Sequence, residues 1–336
     1  MKLEYVYTPK NDNREITSYT SNYARSDNDK TLGEQFTFDL VSNEEDFFMN
    51  NLACEIGGKV IFSNDVANQL RMDNTAATNE LQEVFQGIIT DVKRSGKCKY
   101  SYTCYDYAFY LNKSEVLIQF NDITTTDALQ RLCAENGIPV GTITNIQQKV
   151  KKLYCGETIS DVIRDLLKMA SAESGKKYRF EVRKGKLYIE DYNDLILDVE
   201  LAVVGSVDSS YSITEMKNNI MVVTNNHDVA QIYGKTKDDE NIKLYGQLTK
   251  VEKIDAKEQV KATQIAKTLL DDNNKLKETH SITALGHDTI RAGRIIKLNQ
   301  PLVGMVGYYK IVNCNHTYSS THTMKLDLEG VTEKDG

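Results

Sequence analysis

Apolar side chains recur at every second position through much of the first hundred residues, the spacing that gathers them on one face of a strand. EYVYT, FTFDLV and KVIFS carry this alternation, and after a polar run from Asn64 to Glu80 it returns in EVFQGIITDVKR and KCKYSYTCY, which predict a hairpin turning at Ser95-Gly96. The period then changes. TTTDALQRLCAENGIPVG sets Ala128, Leu129, Leu132 and Cys133 at helical spacing between Thr/Asp starters and the stops Gly137 and Pro139. GETISDVIRDLLKMASAESG repeats the plan: Thr158 and Asp161 form a capping pattern, Ile159, Val162, Ile163, Leu166 and Leu167 share a face, and Gly175 follows the end. KYRFEVRKGKLYIED predicts a hairpin turning at Lys184-Gly185.

From about Tyr211 strands resume as YSITEM, NIMVVT, AQIYG and GQLTKVEKI, with an exposed KDDEN run before the last. One helix at about 256–273 interrupts them, capped by Asp255 and Glu258 and buried along Ala262, Ile265, Ala266, Leu269 and Leu270. HSITAL, RIIKLN, GYYKIVNCNHTY and HTMKLDLEG close the chain, the last two as a hairpin around Ser319-Ser320. The predicted class is α+β, mainly β. Residues 1–105 are β-rich, 106–205 hold two helices and a hairpin, and 206–336 are β-rich with the one inserted helix. At 336 residues and 40% apolar content the chain can bury more than one core.

Tyr100 to Leu111 reads YSYTCYDYAFYL in a chain without tryptophan. Cys98, Tyr100, Tyr102 and Cys104 share one parity and so one face of a strand. At Tyr105 the parity slips, and Tyr107, Tyr110 and Leu111 take the spacing of a single helical turn. The run is two structures joined, with Tyr100 and Tyr102 in a sheet and Tyr107, Phe109, Tyr110 and Leu111 fastening the exit from it. The competing reading, a platform on which bases of a single-stranded nucleic acid stack, lacks basic residues within the run.

Charge changes the picture little. Forty-eight acidic against 41 basic residues give a net charge of −7, the wrong sign for a chain that neutralises phosphates. The densest basic stretch, Lys149 to Lys186, carries eleven Lys or Arg against five acids and reads as solvated or partner-facing surface. No window of about eighteen apolar residues predicts a membrane span, and MKLEYVYTPK lacks the apolar segment of a signal peptide. Cysteines 54, 98, 104, 133, 155 and 314 contain no CxxC pair and read as reduced, mostly buried thiols.

Candidate chemistry is sparse. GxSxG, HExxH, GxxxxGK[ST] and GxGxxG are all absent, and acid pairs such as Glu44-Glu45 and Asp238-Asp239 lie in polar runs. His316 and His322 flank the final hairpin, but no third ligand stands at a spacing that enforces coordination, so they read as strand-surface residues. YCGETISDVIRDLL resembles the opening of a LysM peptidoglycan-binding module over about fifteen residues, and plain N-capping accounts for it equally well. No catalytic, cofactor or metal residue is assigned, and contact residues are left unassigned.

The ordered series is more specific than any part of it. FQGII at Phe85 to Ile89, YDYAFYLNKSE at Tyr105 to Glu115, NGIPVG at Asn136 to Gly141, GETISDVI, SGKKYRF, GKLYIE, YGQLTKVEKID, AKTLL, GYYKI and THTMKLDLEG resemble, in order, the XkdQ/YqbQ family of PBSX-type prophage tail proteins. The resemblance covers nearly the whole chain and departs from the family in the polar run at 64–80 and in the first strands. That family is similar to the baseplate hub proteins of contractile tails and to the matching part of type six secretion spikes.

The resemblance implies a structural protein without enzymatic activity or cofactor, in a phage tail or a tail-like R-type bacteriocin particle assembled in the bacterial cytoplasm. It implies two tube-like β-barrels, at 1–105 and 206–336, flanking an α+β domain at 106–205. Three subunits would then form a ring of six barrels that meets a hexameric tail tube on one side and a trimeric spike on the other. Implied partners are further copies of the chain, the tube, the spike, baseplate wedge proteins, a LysM-containing tail protein and the tape measure protein. DNA enters only as passing cargo in a phage, and no membrane is involved. The alternative reading is a peptidoglycan-binding or wall-hydrolysing tail component.

Overall fold

The computed structural model describes residues 1–336 except 30, 43–51, 66–80, 198–200, 202, 225–230, 255, 302–303 and 332–336. Most of the polar run at 64–80, the Glu44-Glu45 pair and the cap at Asp255 therefore lie outside the described residues. The chain separates into two compact units, Met1–Val207 with Ser281–Gly336, and Asp208–His280.

In the first unit, β1 (Lys2–Tyr7), β2 (Asp12–Glu15), β3 (Thr20–Asn28), β4 (Gln35–Val41), β5 (Lys59–Asp65), β6 (Leu81–Ser95) and β7 (Lys99–Tyr105) come first. Alternation in β4 and β7 turns Phe36, Phe38, Leu40, Tyr100, Tyr102 and Cys104 inward, where they meet Leu3, Tyr5, Val60, Phe62 and Phe85 in one core. The predicted hairpin of β6 and β7 forms with Ser95 opposite Lys99. β2 and β3 form although DNRE and TSNYARSDN offer hardly any apolar alternation to predict them.

The middle segment contains α1 (Ala108–Lys113), β8 (Glu115–Thr124), α2 (Thr125–Glu135), β9 (Val140–Ile143), β10 (Lys149–Thr158), α3 (Ile159–Ser174), β11 (Tyr178–Arg183), β12 (Lys186–Asp191) and β13 (Ile196–Leu197). Both long helices start as their sequences predict. Thr124 accepts from the Asp127 N–H at 3.1 Å and donates to its carboxylate at 2.7 Å, and Thr158 makes the same pair with Asp161 at 3.2 and 2.7 Å. The LysM-like stretch is thus a strand end and a capped helix start. The predicted stripes of α2 and α3 bury together with Phe120, Tyr154, Leu187 and Ile189. Lys184 and Gly185, both at positive φ, make the β11–β12 turn.

β14 (Val203–Ser212) leads toward the second unit, whose elements are β15 (Asn219–Thr224), β16 (Ile232–Lys237), α4 (Asp239–Tyr245), β17 (Thr249–Ile254) and α5 (Ala262–Asn273). Only one helix at about 256–273 was expected there. A 3-10 turn occupies Ala256–Lys261, the α-helix starts at Ala262, and the polar KDDEN run folds into α4 because the Asp238 carboxylate accepts from the N–H groups of Glu240 and Asn241. β16, β15 and β17 form a separate three-stranded sheet, and Ile220, Val222 and Ile254 pack on Ala262 and Ala266.

β18 (Lys277–Leu285), β19 (Ile295–Gln300), β20 (Met305–Tyr318) and β21 (Thr323–Val331) return to the first unit and build a core from Ile282, Ile296, Ile311, Met324, Leu326 and Leu328. β20 is the connector. Residues 305–310 pair with β19, and 313–318 pair antiparallel with β3, Tyr318 opposite Tyr23. A strand of fourteen residues, roughly 45 Å long, can serve both neighbours. The early and late strands consequently join one thirteen-stranded sheet with two separate cores, and among the described residues no barrel closes.

Gly87 tests the packing of the first core. A Cβ there would lie 2.2 Å from the Tyr105 carbonyl oxygen and 2.6 Å from the Phe85 ring. Gly87→Ala is expected to cost about 2 kcal/mol, read as a lower denaturant midpoint than that of wild type.

Candidate functional site

Strand β3 is built inside out. Tyr23, Arg25 and Asp27 share the inward parity, and the Arg25 side chain is 2% exposed. β11 does the same with Arg179 and Glu181, both buried, while Phe180 between them is only half-buried. The loop after β18 brings Asp288 and Arg291, Arg294 opens β19, and β20 adds Lys310. Three regions far apart in sequence, β3, β11 and residues 288–310, thereby deliver charge to one place.

There the groups pair closely. Arg294 donates to Glu181 through both terminal nitrogens, at 2.5 and 3.1 Å, and Arg179 Nε and Arg183 Nε reach the same carboxylate at 3.2 and 3.1 Å. Arg179 Nη1 also donates to Asp29 at 2.5 Å; Lys310 pairs with Asp29, and the Tyr192 hydroxyl donates to it at 2.9 Å. Arg291 stands 3.4 Å from Asp27 and 3.5 Å from Glu34, and Arg25 Nε lies 3.1 Å from Glu34. A cavity of about 210 Å³ opens beside the cluster, lined by Asp27, Asp29, Asp106, Arg164, Arg179 and Arg291.

Burial works to raise the Glu181 pKa, but Arg291, Arg294 and Arg179 outweigh it and hold the carboxyl well below the usual range. Asp106, between β7 and α1, goes the other way. Burial and the neighbouring Glu34 carboxylate push its pKa up to about 8, and its Oδ2 has no hydrogen-bond partner among the described residues. At neutral pH Asp106 is mostly a protonated acid whose Oδ1 accepts from the Ala108 N–H at 3.0 Å.

The histidines depart from expectation. His316 is buried and His322 nearly so, because the turn at 319–322 folds both inward. The distant Asp288 supplies the third group that spacing alone could not reveal, with ligand atoms of all three residues within 4.8 Å of one another. Cys314 Sγ lies 3.1 Å from His316 Nε2, the contact of a Cys–His dyad. Burial pushes the thiol pKa up and the imidazole pKa down, which favours the neutral form of each and opposes the thiolate–imidazolium pair of a reactive dyad. Cys54, Cys104 and Cys133 are buried as expected, Cys98 is half-buried and Cys155 is exposed.

The tyrosine run divides where its parity slips. Tyr102 stacks on Phe38 at 4.9 Å between centroids and accepts the Cys54 N–H at 2.9 Å. Tyr100 and Tyr102 are both interior, which removes the base-stacking reading for them. In α1, Ala108 and Leu111 anchor the exit, whereas Tyr110 faces outward and is 48% exposed. The charged cluster leaves one signal in the sequence, the shared parity of Tyr23, Arg25 and Asp27.

Residues 25–329 match the family described as YQBQ-like. The chain is similar to the uncharacterized protein YqbQ of Bacillus subtilis (strain 168), 27% identical over 256 residues that cover 74% of this chain and 78% of that one. It is also similar to the phage-like element PBSX protein XkdQ of the same organism, at 24% over 256 residues with the same coverage. Among solved structures, the 43 kDa tail protein of prophage MuSo2 from Shewanella oneidensis superposes with a TM-score of 0.68 at 12% identity, over 98% of both chains. The E. coli protein c3393, a type VI secretion component described as similar to the T4 tail proteins gp27 and gp5, reaches 0.54 at 12% identity, over 95% of this chain and 75% of that one. At such identities the superpositions establish a shared fold.

Glu181→Gln leaves the buried guanidinium groups of Arg179 and Arg294, and the half-buried one of Arg183, without their shared anion and is expected to lower stability by about 3–5 kcal/mol, measured by chemical denaturation. Asp106→Asn acts in the opposite direction. Between the unfolded pKa near 4 and the folded value of about 8, the folded chain holds a proton that the unfolded chain has lost, so wild-type stability from this group falls as pH rises across that window. The Asn variant is expected to match wild type at pH 4 and to exceed it by upwards of about 2 kcal/mol at pH 8.

Proposed function

We propose the role of a baseplate hub protein on one premise, that the chain belongs to the YQBQ-like family. The observation that carries the proposal is the near end-to-end fold match to a prophage tail protein, reinforced by the match to a type VI secretion component. The particle is a phage tail or a headless tail-like device such as an R-type bacteriocin.

In this reading the protein works by assembly and not by catalysis. Residues 1–105 and 206–336 supply two tube-like β-domains, and 106–205 form an α+β domain between them. The two separate cores on one sheet support two such domains within each subunit. Three subunits place six of them in a ring that meets a hexameric tube on one face and a trimeric spike on the other. The contacts around that ring are heterologous, first domain of one subunit against second domain of the next. Wedge proteins, a LysM-containing tail protein and the tape measure protein are the further partners, with DNA as cargo only if a capsid is present.

A hub must hold its two domains at a fixed angle while force passes through the tail. The shared strand β20 and the buried charges beside β3, β11 and β19 suit that demand. Quantitative mass spectrometry of purified particles, calibrated on the tube protein, is expected to find three copies of this chain per particle. Its absence from the particle, or six copies, would contradict the proposal.

A further inference from the structure

His316, near the end of β20, and His322, just before β21, converge with Asp288 from the loop after β18. Nδ1 of His316 lies 3.0 Å from Nε2 of His322, and that nitrogen lies 3.9 Å from Oδ1 of Asp288. Two ligands bound to one tetrahedral ion at about 2.0–2.1 Å each stand roughly 3.3 Å apart. The observed spacings bracket that value.

The surroundings orient two of the three groups, His316 and Asp288, as metal ligands are oriented, whereas Nδ1 of His322 has no hydrogen-bond partner among the described residues. His316 turns its other nitrogen, Nε2, to the Ile290 carbonyl at 2.9 Å, which favours a proton there and a lone pair on Nδ1. The Asp288 carboxylate receives the Tyr318 hydroxyl at 2.6 Å and the Asn64 amide at 2.9 Å. Arg25 approaches the same Nε2 at 2.9 Å, but its guanidinium also has the Asp288 carbonyl at 3.1 Å as an acceptor and Glu34 at 3.1 Å as a counter-charge. Arg25 therefore does not require the His316 lone pair.

We propose that Asp288, His316 and His322 form a binding site for one divalent transition ion of the zinc class, with the fourth position open to water. Two imidazoles and one carboxylate suit zinc or cobalt and disfavour magnesium and calcium, which seek oxygen-only shells. The ion ties the final hairpin to the 286–294 loop, which also delivers Arg291 and Arg294 to the charged cluster. This inference stands apart from the hub reading, since it concerns only how the first unit is fastened.

The test uses the full chain, stripped with a chelator and titrated with Co²⁺. Visible absorption bands of four-coordinate cobalt should saturate at about one ion per chain and be displaced by Zn²⁺. His322→Ala and the bulkier His322→Gln, each checked for folding by circular dichroism, should both lose the bands, while His287→Ala, outside the ligand set, should keep them. A folded wild-type chain that takes up no stoichiometric cobalt, or His322 variants that retain full uptake, would overturn the site.

Discussion

A carboxylate buried among three guanidinium groups, as Glu181 is, survives away from water only while all of them stay in place. Removing any one partner strands a charge in the interior at a cost of several kcal/mol, so the partners' backbones are held together as firmly as the ions are. Those backbones belong to β11 and the start of β19, and through Arg179 and Asp29 to the end of β3. Hydrophobic contact is indifferent to direction, whereas a bidentate pair such as Arg294 with Glu181 fixes angle as well as distance. The middle segment keeps its own apolar core, and the charged junction sets its orientation on the sheet.

β20 performs the same service along the backbone. Its first half completes the late strands and its second half receives β3, so separating the early and late strands would break a ladder of main-chain hydrogen bonds as well as ion pairs. Two cores on one continuous sheet then act as one body. The hub role proposed above would draw on such stiffness, since load on one core reaches the other along β20.

Much of this was legible in local patterns and little of it in the long-range ones. Threonine caps at Thr124 and Thr158, the Lys184-Gly185 turn and the parity of Tyr100 and Tyr102 each follow from neighbours a few residues apart, and each took the form its sequence predicts. β3 was illegible because its inward residues are Arg25 and Asp27, which a pattern of apolar positions counts as surface. Asp27 meets Arg179 and Arg291 from more than a hundred residues away, and although Glu34 lies only nine residues from Arg25, nothing local distinguishes that buried pair from a solvated one. The same separation hid Asp288 from His316 and His322. The family resemblance was legible because order along the chain survives where no single motif is specific.

The buried charges bind the first unit so that it opens as one body. Native-state hydrogen exchange tests this directly by comparing the opening free energies of amides in β3, β11 and β20. A single shared value at low denaturant is the predicted result. Amides of β11 that open at a distinctly lower free energy than those of β3 and β20 would show the middle segment detaching by itself, and the account would be wrong.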